Sequence, residues 1–473
     1  MNTRKILGFA VGPIGTAALG LISVPVIAWA FTPEDVGRLN IVNIVVSFSV
    51  LLFSLGLDQA YVREYHETSD HAELLKTCYS PGMLLFAITS VPLLVMSERL
   101  SYWLFGTSSS MYFWIVLACA IASFISRFLS LILRMQERAL AFSISQLIPK
   151  IVFLLVIGLL VMMGIPRQFL QVELAFLAST VAVLVTYAWN TRSDWELAWG
   201  ASIDRLQLRA RLRFSIPLVF ASLAYWGLTA TSSFTLRSLS TFGELGVYSV
   251  SMSVAGVAII VQSIFTVIWD PVVYKWAANG ADMTRVDRVA RQGLAVVIAM
   301  FVLVGMFSWM IDYVLPAQYT EVKYLVLCSI AQPLLYTLSE VTCIGMYLVR
   351  RTMLSLWTTL VALLVNLGLN LLLVAGLGAS GAVIANALAY LVFFVGRTEA
   401  SAYVWRQFPR VKLYVFTTAA IALSVFTVIL GPTIGWVCNA AWFAIAPFVF
   451  WAFRDEWRVI FSTAHKGISD LRN

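Results

Sequence analysis

The sequence predicts an all-α polytopic membrane protein of about fourteen transmembrane helices: two six-helix parallel repeats followed by two further helices. Three observations predict it. Hydrophobic residues fill 60% of 473 positions and charged residues 12%, against roughly 25% charged in a soluble domain, too few to clothe a water-facing surface. The apolar residues form long continuous runs, where a membrane β-barrel would alternate. The basic residues gather on alternate loops.

Other classes fall away on the same composition. The chain is too apolar and too aromatic for disorder. Its five cysteines (Cys78, Cys119, Cys328, Cys343, Cys438) are scattered without a C-x-x-C pair and read as small hydrophobes. His66, His71 and His465 lie in polar stretches, and no H-E-x-x-H, Walker loop or G-x-G-x-x-G occurs. No cofactor, metal or nucleotide hydrolysis is therefore expected. The net charge of +8 is distributed by loop, so nucleic acid is not an expected partner; the bilayer is.

A membrane-crossing helix needs about 20 mostly apolar residues. Such segments fall near 6–31, 39–62, 77–97, 111–133, 142–164, 168–189, 214–236, 245–271, 292–311, 324–347, 353–375, 379–396, 412–430 and 434–453. Thr32-Pro33-Glu34-Asp35, Gly376-Leu377-Gly378 and Gly431-Pro432 punctuate them. The first segment has the basic start and the Ala28-Trp29-Ala30 end of a signal peptide. Its apolar stretch, however, is roughly twice a signal core of about 7–15 residues, so it is read as span 1. With the N-terminus inside, 25 of 32 Lys and Arg fall on inner segments and five, Arg38, Arg99, Arg167, Arg237 and Lys323, on outer ones. That bias predicts both termini in the cytoplasm.

Thr32, Asp35, Gly37 and Tyr65 recur 209 residues later as Thr241, Glu244, Gly246 and Tyr274. Spans 1–6 and 7–12 share order and orientation, so the halves read as parallel repeats about an axis along the membrane normal. The expected division is residues 1–204, 205–402 and 403–473. In span 1, Pro13 and Pro25 interrupt the helix potential and are candidate hinges.

Charges inside spans are expensive and normally face protein or water. Arg127 lies about 10 Å inside the inner boundary, in a stripe Ser123, Arg127, Ser130, Arg134 that occupies one helical face. Lys150 ends a second stripe, Ser143, Gln146, Lys150, at about 12 Å. Spans 4 and 5 form a hairpin, so the two stripes are expected to line one cationic cavity. Glu340, about 15 Å deep, is a candidate proton or cation site. Asp58, Asp270 and Glu173 are read as solvated at span boundaries, Glu64 to Lys76 as a solvated loop, and the tail from Arg454 to Asn473 as lying on the anionic inner leaflet.

Phe31-Thr32-Pro33-Glu34-Asp35-Val36-Gly37, then Leu55-Gly56-Leu57-Asp58-Gln59-Ala60-Tyr61-Val62-Arg63-Glu64-Tyr65, resembles the first helix pair of O-antigen (Wzx-type) flippases, of the multidrug/oligosaccharidyl-lipid/polysaccharide (MOP) exporter superfamily. Trp269-Asp270-Pro271-Val272-Val273-Tyr274-Lys275 resembles them too. One departure stands out: where many relatives carry an Asp-Arg pair in span 7, this chain reads Thr231-Ser232-Ser233-Phe234-Thr235-Leu236-Arg237. The resemblance implies a V-shaped two-bundle fold like that of the MATE transporters. It implies translocation of an undecaprenyl-pyrophosphate-linked glycan to the outer leaflet of a bacterial inner membrane, without covalent chemistry. It also implies coupling to a proton or sodium gradient, and a polysaccharide polymerase and chain-length machinery as partners. Arg127 and Lys150 would then meet the pyrophosphate, Arg63 would assist capture, and Arg38 with Arg237 would receive the head group before release. The alternatives are a drug or cation exporter of the same superfamily, which would favour an acidic cavity, and a sugar-lipid ligase or polymerase, which would need a large outer loop.

Overall fold

The computed structural model describes residues 3–280, 282–460 and 462, and these form eighteen α-helices with no strand among the described residues. "Inner" and "outer" below follow the Lys and Arg bias. Two compact units divide the chain, Met1–Ser249 and Val250–Asn473. The first holds α1 (Thr3–Ala30), α2 (Pro33–Phe53), α3 (Leu57–Glu64), α4 (His71–Val95), α5 (Ser97–Phe105), α6 (Ser110–Met135), α7 (Ala139–Met162), α8 (Phe169–Asn190), α9 (Arg192–Gly200), α10 (Arg205–Leu239) and the first turns of α11 (Phe242–Val254). The second holds α12 (Gly256–Ala278), α13 (Thr284–Phe307), α14 (Ile311–Val314), α15 (Val322–Ser329), α16 (Ala331–Leu348), α17 (Met353–Val404) and α18 (Val411–Ala452). The packing boundary differs from the repeat boundary at 204/205, because α10 leans on α2 and α3.

Among the described residues, ten helical stretches are long and apolar enough to cross a membrane. Two of them double back. In α17 the chain turns at Gly378 (φ 51°), and Gly396 returns against the Thr358 side chain. In α18 the turn is at Ile434, after which Trp442 Nε1 donates to Thr427 Oγ1 at 3.2 Å and Lys412 Nζ to the Ala452 carbonyl at 3.2 Å. With each hairpin taken as two spans, and α1 and the α11–α12 pair added, every expected segment finds a helix. Exposed apolar rows mark lipid-facing surface: Leu84, Ile88, Val91 and Val95 on α4 are 60–84% exposed, which water would not tolerate and hydrocarbon does.

Residues 39–62 are not one helix; Leu55 and Gly56 take positive φ (52° and 67°) and divide α2 from α3. Gly56 is needed there, since a Cβ would sit 2.8 Å from the Ser215 carbonyl oxygen. The break re-aims α3 and brings Asp58 inward.

The repeat is visible in reciprocal contacts. Thr32 Oγ1 accepts the Asp35 N–H at 3.3 Å and Thr241 Oγ1 the Glu244 N–H at 3.2 Å, so both threonines cap their helices. Gly37 lies against the Phe242 carbonyl, and Gly246 against the Pro33 carbonyl. Asn40 Nδ2 donates to Ser249 Oγ at 3.1 Å. Each pair exchanges under the same 209-residue shift, so a local two-fold axis passes between α2 and α11 where they cross.

Candidate functional site

Arg127 projects from the middle of α6 towards α3. Its Nη2 and Nε both donate to Asp58 Oδ2, at 2.6 and 3.1 Å. Asp58, expected to be solvated at a boundary, is instead buried and paired; the α2–α3 break accounts for the difference. Among the described residues one carboxylate oxygen is engaged, and the Arg127 side chain remains 39% exposed, leaving guanidinium edge for a further anion. Ser130, in the expected polar stripe, turns its hydroxyl back onto the Arg127 carbonyl at 2.7 Å.

The second stripe does something else. A Cβ on Gly12 would sit 2.6 Å from Gln146 Oε1 and 3.0 Å from Ser143 Cα, and Thr16 Oγ1 donates to the Gln146 carbonyl at 3.3 Å. Ser143 and Gln146 therefore serve the α1–α7 seam, where small residues let helix backbones approach, and do not face α6 as a shared cavity wall. Lys150, one turn further along α7, is partly buried and has no hydrogen-bond or ion-pair partner among the described residues. Lying eleven residues beyond Ala139, it is about 16 Å along the helix. Arg63 is exposed and lies 4.4 Å from the Phe214 ring centroid.

At the outer end, the structure brings Arg38 and Arg237 together. Both guanidiniums approach the Phe242 ring, at 4.8 and 4.6 Å. Both also cap the last carbonyls of α5: Arg38 Nε donates to Phe105 O at 3.1 Å, and Arg237 donates to Leu104 O at 3.0 Å and Tyr102 O at 3.3 Å. Arg38 additionally pairs with Asp35 at 3.3 Å.

Three further ionic features were misread or unread in the sequence. Glu340 is not a lone acid: it accepts from Arg397 Nη1 at 2.6 Å, and Arg397, counted among inner loop charges, is 3% exposed and also donates to Ser339 Oγ (3.0 Å) and Tyr347 OH (2.8 Å). The stretch Glu64 to Lys76 is not simply solvated. Arg211 of α10, 3% exposed, binds Glu64 at 2.7 Å, Glu73 at 3.2 Å and Gln207 Oε1 at 2.6 Å, tying α10 to α3 and α4. Asp204 starts that helix by accepting the Leu206 and Gln207 N–H groups at 2.8 and 3.3 Å, which holds its carboxyl below the usual carboxylate range. Glu173, expected at a solvated boundary, is 0% exposed, with no hydrogen-bond partner for either oxygen among the described residues. It sits in the second turn of α8, and the helices packed over that turn were not readable from a one-dimensional depth count.

The α1 helix runs unbroken past both candidate hinges, and Pro25 is partly exposed. The side chain of Pro13 lies outside the described residues, as do those of Asp270 and the tail from 463 onwards.

A lipid II flippase, MurJ, in an inward closed conformation shares the fold at TM-score 0.67 and 14% identity, over 94% of this chain and 99% of that one. An inward-facing multidrug resistance MATE transporter of the MOP superfamily matches at 0.57 and 14%, over 82% and 95%. A MOP transporter from Pyrococcus furiosus matches at 0.51 and 15%, over 84% and 96%. No curated protein matches the chain. The model of the family described as Polysaccharide biosynthesis protein matches residues 3–275, more than half the length. The flippase-type resemblance seen in the first helix pair and the MurJ- and MATE-like fold agree with that match: this chain is a membrane protein belonging to the polysaccharide biosynthesis protein family.

Proposed function

We propose that this protein is a flippase that moves an undecaprenyl-pyrophosphate-linked oligosaccharide, such as an O-antigen unit, from the inner to the outer leaflet of the bacterial inner membrane. The observation that carries the reading is Lys150, a cation inside a spanning helix with no ion-pair partner among the described residues. An unpaired charge at membrane depth is costly and marks a ligand or ion path. Its sign suits pyrophosphate and not a cationic drug. Arg127 adds a partly free guanidinium in the same unit, and Arg38 with Arg237 offer cationic groups at the outer end. Moving the head group needs a wet, charged path and no covalent step, while the isoprenoid stays in lipid. A polymerase with its chain-length machinery would consume the product. Transbilayer movement of a fluorescent lipid-linked pyrophosphate oligosaccharide by the purified protein in liposomes tests this; efflux of cationic dyes without lipid movement would replace it with the exporter reading.

For coupling to an ion gradient we favour Glu173 over Glu340. Glu340 is already neutralised by Arg397. Both Glu173 oxygens are buried with no hydrogen-bond partner among the described residues, which suits a proton, since sodium needs several oxygen ligands around it. Glu173→Gln is expected to transport at a rate independent of a proton gradient; an unchanged gradient response rules the residue out.

A further inference from the structure

The second unit carries a hollow that the flipping of a pyrophosphate head group does not use. It lies at the outer end, between the turn after α13, the start of α15 and the hairpin turn of α18, and is an open hollow of about 540 Å³, within the range of about 300–1,000 Å³ typical of small-molecule sites. Trp309, Tyr324, Trp436 and Phe443 line it. Aromatic residues are enriched at membrane–water interfaces in general; here four rings border one space.

Two features fix its chemistry. Gly431 and Gly435 lie flat against the Tyr324 ring, a Cβ on Gly435 falling 2.6 Å from the Tyr324 hydroxyl, so the turn holds one ring face in place. The polar groups are few and balanced. Lys323 Nζ is bound to Asp312 Oδ2 at 2.6 Å and lies 5.1 Å from the Tyr324 ring, so its charge is compensated while it keeps donors to spare. The Asn439 amide has no hydrogen-bond partner among the described residues and offers both donor and acceptor. A phosphate would need net positive charge, and an acyl chain would leave the amide unpaired at a cost. A neutral sugar meets both demands: its C–H face stacks on indole and phenol rings, and its adjacent hydroxyls pair with an amide and an ammonium.

We infer that this hollow binds neutral sugar rings on the outer side, next to where a flipped glycan emerges. The inference rests on the lipid-linked glycan reading, and its test separates the two. Full-length protein in nanodiscs is titrated with lactose and chitobiose, read by saturation-transfer NMR and by quenching of tryptophan fluorescence. Saturable binding of at least one sugar is expected. Asn439→Leu and Trp436→Ala are each expected to weaken it about tenfold, as loss of one good contact would. No saturable signal from either sugar, or binding unaltered in both variants, overturns the inference. Transport of lipid-linked oligosaccharide by the same preparation without sugar binding leaves the flippase reading standing alone; sugar binding without transport leaves only the hollow.

Discussion

The crossing of α2 and α11 makes a sharp prediction. In Gly246→Ala the new methyl collides with the Pro33 carbonyl oxygen and sits 2.6 Å from its carbon. Backbone cannot swing aside as a side chain would, so the helices must part until that contact reaches the 3.4 Å at which ordinary packing begins. Overpacking of this kind typically costs about 1–3 kcal/mol, which shifts a two-state equilibrium roughly 5- to 150-fold towards the parted form. Gly37→Ala, which meets the Phe242 carbonyl by the same local symmetry, should do the same. Gly158→Ala, with nothing within 4 Å, is the control. The readout is the yield of a short thiol cross-link in N40C/S249C membranes, because Asn40 and Ser249 touch where the helices cross and parting the helices would separate them. The yield should fall in both glycine variants and hold in the control, with transport falling alongside it. Equal yields in all three would mean that the crossing does not open or that the reciprocal packing is wrong.

Two other outcomes follow from the inner end of α10. Arg211→Met strands Glu64 and Glu73 beside each other, and removing one partner of a buried ion pair costs about 3–5 kcal/mol; thermal unfolding in detergent should show it, with Arg211→Lys recovering part. Asp204, held below the usual carboxylate range by two backbone N–H groups, stabilises the start of α10 fully above that range and loses its contribution as pH falls through its lowered value. Hydrogen exchange at Leu206 and Gln207 should accelerate on acidification in the natural protein and be pH-insensitive in that window, once intrinsic rates are removed, in Asp204→Ala.

Fold and site were legible to different depths. The spans could be read because hydrocarbon forces backbone satisfaction into long helices, which leaves an unmistakable run of apolar residues. The repeat could be read from Thr32 and Thr241 because both cap a helix for the same local reason. Arg127 and Lys150 stood out as charges in apolar surroundings. Their partners did not, because pairing depends on which helix lies opposite. Asp58 reaches Arg127 only through the break at Leu55 and Gly56, Gln146 turned out to serve the seam with α1, and Arg397 looked like an inner loop charge until α16 was seen packed against it. Glu173 was discounted by its distance from the span end, and burial by neighbouring helices outweighs that distance.

Lys150 gives the most direct test of the central claim, because changing it strands no acid among the described residues, whereas changing Arg127 leaves Asp58 without its ion pair. The measurement is the rate at which a fluorescent undecaprenyl-pyrophosphate oligosaccharide crosses the bilayer of liposomes holding the natural protein or Lys150→Arg, Lys150→Met or Lys150→Glu at matched insertion. A cationic path for an anionic head group predicts a graded loss, mildest for Arg and worst for Glu. Near-natural rates in all three would contradict it.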